Sequence, residues 1–169
     1  MPEDWSKLRD IDPLADAQAC IDFELPFSAF PRLAAQLASP AGQAQGRVCF
    51  DRDAGVAVAE VQVSAQALLT CQRCLAAMPW SFSGSARVAL VGDAAEAERV
   101  PAELETILAP EHRLSVRDLV EEQLLIELPL VARHQQAECP PAVSPQGAAE
   151  PGERHKPFAG LDELMKQER

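Results

Sequence analysis

From residue 19 to about 108 the chain alternates apolar and polar side chains, the period of a strand with one face buried and one face wet. Ile21, Phe23 and Leu25 alternate with Asp22 and Glu24, which predicts an edge strand over 19–25. The spacing then changes. Phe30, Leu33, Ala34 and Leu37 form one stripe of a short helix, with Ser28 as its cap and Pro31 in its first turn. Ser39-Pro40 stops that helix, and residues 41–46 read as a flexible connector. Residues 47–52 return to strand, and Asp53-Ala54-Gly55 turns the chain into the longest alternating run, 56–69. Its apolar parity shifts at Ala59-Glu60, as a β-bulge would produce. Alternation resumes over 80–90 through Phe82, Ala86, Val88 and Leu90. Residues 92–99 are acidic and read as a loop, and 104–108 as a further strand.

The clearest helix spans 115–128. Ser115 caps it, Asp118 answers as a shortened capping box, Leu114 and Leu119 take the staple positions, and Pro129 ends it. Val116, Leu119, Val120, Leu124 and Leu128 make the buried stripe, while Asp118, Glu121 and Glu122 face water. These elements predict an α+β fold: a mainly antiparallel sheet covered by two helices. The domain ends near residue 138. Residues 139–169 read as a tail without order of its own, rich in Pro, Gly, Ala and Glu. A short amphipathic set (Phe158, Leu161, Leu164, Met165) sits near its end.

Charge narrows the function classes. The net charge is -11, from 26 acidic and 15 basic residues, and only three of the basic ones are lysines. Such a surface repels nucleic acid at long range and suits a basic protein partner. With no Tyr and two Trp, it offers few rings for stacking bases. The charged N-terminus lacks a signal-peptide core, and no run of about 18 apolar residues is present, which predicts a cytosolic protein that meets no membrane. In that compartment the five cysteines are expected to be reduced, with Cys20 and Cys49 as small core residues.

The candidate chemistry sits between the two long strands. LLTCQRCL (68–75) places Cys71 and Cys74 in one tight turn, around Arg73. Sixty residues on, PLVARHQQAEC supplies His134 and Cys139 at zinc-site spacing. Together the four predict a structural zinc site stapling the strand turn to the end of the long helix. The competing reading is a pair of small buried thiols near a surface His and Cys. A redox role for Cys-x-x-Cys would need a helix N-terminus, and here strands flank the motif. Arg73 and Arg133 are candidate contacts for a phosphate or carboxylate on a partner; the plain alternative is surface charge. No nucleophile–base arrangement, phosphate-gripping glycine loop or recognisable carboxylate pair occurs, so the sequence predicts no enzyme.

Three blocks resemble the YceD family, the bacterial large ribosomal RNA subunit accumulation proteins. They are LLTCQRCL (68–75), SVRDLVEEQLLIELPLVARH (115–134) with Cys139, and KPFAGLDELMK (156–166). The resemblance implies a cytosolic, non-enzymatic factor in ribosome assembly. Its partner would be a ribosomal protein or a particle on the way to the 50S subunit; direct RNA contact is the less favoured route. A small thiol- or zinc-dependent oxidoreductase and a general acidic chaperone for a basic protein are the alternatives.

Overall fold

The computed structural model describes residues 4–135 and Cys139. The chain divides into two units, Met1–Cys139 and Pro140–Arg169. The amphipathic segment at 158–165 and the tail of which it is part lie outside the described residues, apart from Cys139.

The chain begins with β1 (Arg9–Asp10), α1 (Ile11–Asp16) and β2 (Cys20–Pro26), then a single 3-10 turn, α2 (Pro31–Ala34) and β3 (Leu37–Ser39). Three long strands follow: β4 (Gln43–Asp53), β5 (Val56–Thr70) and β6 (Ala77–Val91). Last come α3 (Ala94–Ala97), β7 (Glu105–Leu108), β8 (Arg113–Leu114) and α4 (Val116–Ile126). The main sheet runs β2-β4-β5-β6-β7, with β3 pairing the far end of β5 and a separate β1–β8 pair. All its pairings are antiparallel except β6–β7. The α+β class, the edge strand and the 104–108 strand are thus as the sequence predicts.

One face of the sheet is the core. Phe23, Val48, Val61 and Val63 point into it, beneath Ile11 and Ala15 of α1, Leu33 of α2 and Val116, Leu119, Val120 and Leu124 of α4. Helix α1 was not anticipated: six residues with a proline inside carry too little periodicity to announce a helix. Residues 43–46 belong to β4, not to a connector. Gly46 lies between Phe23 and Val63, and a side chain there would run into the Gln62 carbonyl and the Phe23 ring.

The predicted bulge is absent. The β4–β5 and β5–β6 registers run unbroken past Ala59-Glu60. The parity shift arises because both faces are buried where β7 joins the sheet. Ala57, Ala59 and Leu90 are buried on the core face, and Val58, Ala89 and Val91 on the other.

Two helix ends also differ from expectation. Ser28 caps nothing: α2 begins after Phe30 and makes no side-chain cap from that residue. Its cap comes from α4. Glu121, expected in water, is 2 % exposed and accepts the N–H groups of Arg32 (2.7 Å) and Leu33 (3.1 Å). A carboxylate at a helix start satisfies orphan donors, which is why this acid can be buried. Ser115 does cap α4, accepting from the Asp118 N–H at 3.0 Å. The Asp118 carboxylate bonds Arg117 and does not complete the box.

Cys20 and Cys49 form a disulfide, against the expectation of reduced core thiols. The register sets them directly opposite on β2 and β4, with Cα atoms 4.1 Å apart. Cys20 shares its parity with Asp22 and Glu24, so the pair sits on the open face of the sheet and not in the core.

Candidate metal centre

Strands β5 and β6 stay paired to Thr70 and Ala77, leaving residues 71–76 as the link between them. The link is a tight turn: Leu75 N–H donates to the Cys71 carbonyl and Cys71 N–H to the Ala76 carbonyl, both at 2.9 Å. Leu75 adopts φ +61°, a conformation costly for a branched side chain. Helix α4 packs on β5 and ends near the same edge, and Pro129 turns the chain away. The departing segment is then tied to the turn by Gln72 N–H donating to the Ala132 carbonyl at 2.8 Å.

These ties bring the two half-motifs together. Ligand atoms of Cys71, Cys74, His134 and Cys139 all lie within 4.8 Å of one another, and the group could hold a metal ion. Cys74 Sγ is 3.5 Å from His134 Nδ1. Tetrahedral zinc with sulfur at about 2.3 Å needs ligand atoms about 3.8 Å apart, so small adjustments suffice. Three sulfurs and one imidazole form a closed set of the structural kind. The donor set fits zinc.

The sulfurs differ in environment. Cys71 is fully buried, and its thiol is lowered to about 5. The Cys74 N–H bonded to its sulfur is the main cause. Burial opposes it, while the N–H groups of His134 and Arg73 and the His134 ring add to it. Cys74 is raised instead: an N–H from Ala76 pulls it down, but burial and the neighbouring Cys139 and Cys71 outweigh that pull. A crowded thiol trio in which N–H donors favour the anionic form of one sulfur suits a cation.

Of the two predicted contact arginines, Arg73 is engaged inside the site. Its Nε donates to Cys139 Sγ at 3.1 Å and its Nη2 to the His134 carbonyl at 3.3 Å. Arg133 is exposed, with no hydrogen bond or ion pair among the described residues. Sequence reasoning did not anticipate the apolar surface around the site. Leu75 is 75 % exposed, Leu130 fully so, and Val131 and Ile126 more than half. The one available signal was Leu130-Val131 lying beyond the helix stop, where no stripe could bury them.

A family model described as large ribosomal RNA subunit accumulation protein YceD matches residues 59–165, more than half the chain. The chain belongs to the YceD family. The match opens inside β5 and spans both halves of the thiol–imidazole cluster. Searches of curated proteins and of solved structures return no match. The family is described by accumulation of large-subunit ribosomal RNA, and that description names no catalytic step. No helix among the described residues is long and apolar enough to cross a membrane.

Proposed function

We propose that this YceD-family chain is a cytoplasmic, non-enzymatic ribosome-biogenesis factor. It supports accumulation of 23S ribosomal RNA by binding a large-subunit ribosomal protein or a pre-50S particle. The contact surface is the tip made by the 71–76 turn and the segment after α4, clamped by zinc on Cys71, Cys74, His134 and Cys139. Residues 1–138 form the working domain, and 139–169 a tail that contributes Cys139 and a short amphipathic segment.

The observation that carries this reading is the concentration of exposed apolar side chains at the clamped tip. Leu75, Ile126, Leu130 and Val131 are four of the seven large hydrophobics exposed among the described residues. Exposed apolar side chains gathered at one end of a charged protein favour a protein contact. Zinc here has a structural role: it fixes two segments that have little core of their own.

A second reading rests on charge. No carboxylate occurs between Glu60 and Asp93, so the β5–β6 hairpin and its turn are acid-free in an acidic protein. Arg133 beside that turn suits a local RNA phosphate. The test is binding of the purified full chain, at low and moderate salt, to individual large-subunit ribosomal proteins and to bare large-subunit RNA. Binding to a ribosomal protein that Leu75→Asp or Leu130→Asp abolishes is expected. Tight binding to bare RNA, lost in Arg133→Glu, with no affinity for any ribosomal protein, would overturn the first reading in favour of the second.

A further inference from the structure

We infer that Arg73 is the positioning residue that assembles the metal centre from its two halves; this rests on the metal reading above. Arg73 lies on the turn that carries Cys71 and Cys74, and its side chain reaches the other half-site twice. One prong, Nε, donates to Cys139 Sγ at 3.1 Å, and the other, Nη2, to the His134 carbonyl at 3.3 Å. Among the described residues, the only other hydrogen bond tying the turn to the segment after α4, besides those of the ligands, is Gln72 N–H to the Ala132 carbonyl. Cys139 is thus held to the turn by this guanidinium together with the Cys74 thiol.

Charge argues the same way. Three thiolates around a divalent cation leave a net charge of about -1, which a guanidinium bonded to one sulfur neutralises. An arginine fork engaging a sulfur and a carbonyl at once fixes where the second arm lies before the metal arrives. Lysine, with a single ammonium, cannot make both bonds in that geometry. Arg73 is therefore spent within the site, and any cationic contact with a partner at the tip falls to Arg133.

The experiment compares wild type, Arg73→Met, Arg73→Lys and, away from the site on β6, Arg87→Met, all as full chains. Zinc affinity is read by competition with a chromophoric chelator, and the thiolate-to-cobalt charge-transfer band by cobalt substitution. Loss of such a supporting partner costs about 10- to 100-fold in metal affinity, and that loss is expected for Arg73→Met. Its cobalt band should shift, Arg73→Lys should recover part of the affinity, and Arg87→Met should match wild type. If wild type takes up zinc and Arg73→Met binds it equally with an unchanged cobalt band, the inference fails while the metal reading stands. If wild type takes up no zinc, both fail.

Discussion

The two ends of strand β6 are built by opposite means. At its N-terminal end is the 71–76 turn, where Arg73 is the only charged side chain and thiols and exposed leucines gather. Fifteen residues on, about 45 Å of strand, the chain from Gly92 to Arg113 carries six carboxylates, two arginines and His112. That end is held by polar contacts of ordinary kind. Asp93 caps α3, and Glu96 accepts the Gly92 N–H at 2.7 Å and lies 3.4 Å from His112. Backbone donors satisfy Asp93 and Glu96, and Glu98, Glu103, Glu105 and Glu111 are exposed to water. At the tip two segments without regular structure meet, and besides the Gln72–Ala132 backbone bond the ties between them come from Arg73 and the thiol–imidazole cluster. The difference is one of surface: one end of β6 carries solvated acids, and the other exposes apolar side chains.

The largest effect should come from removing one ligand. Cys74→Ser should drop the zinc content of unchelated protein from about one per chain to well under half. Amide exchange should then speed up over 131–139 and stay unchanged over 92–113. Equal loosening at both ends would mean that the tip has no stability of its own to lose. Next is the covalent tie on the open face. The Cys20–Cys49 bridge closes 29 residues, and the double serine variant should lose about 3 kcal/mol in urea unfolding. An unchanged midpoint, with free thiols detected in the wild type, would deny the bridge.

A smaller loss, about 2 kcal/mol, is expected for Glu121→Ala, which leaves two α2 donors unsatisfied. Zinc content should not change in that variant. Arg32→Ala should cost much less, because its side chain is half exposed and its ion pairs are screened. Glu121 and Arg32 variants of equal cost would show that the ion pair, and not the cap, holds α2.

A further effect is one of pH. In metal-free protein the Cys71 thiol lies at about 5, below its ordinary 9.0. A group lowered by folding contributes stability that is full above about pH 9 and is lost as pH falls through about 5. Chelated wild type should therefore lose its advantage over Cys71→Ser between those limits. A gap that widens on acidification would contradict the N–H bonds assigned to this sulfur.

What the sequence by itself determined is periodic and local. Period-two alternation laid out the strands, and Ser115 and Pro129 bounded the main helix. The Cys-x-x-Cys and His-x4-Cys spacings marked the two half-sites, since ligand spacing is a property of a short segment. Even the outward direction of Cys20 was written in its parity with Asp22 and Glu24. What only the tertiary structure decided is whatever depends on register between distant segments. Pairing Cys20 with Cys49 needs the β2–β4 register. Burying Glu121 needs the α2 start to lie beneath α4, and the Val58 parity shift needs a second covered face. Bringing Cys139 to Arg73 needs the exit path of α4. In each case the side chain's role is set by a partner tens of residues away, and no local pattern encodes that distance.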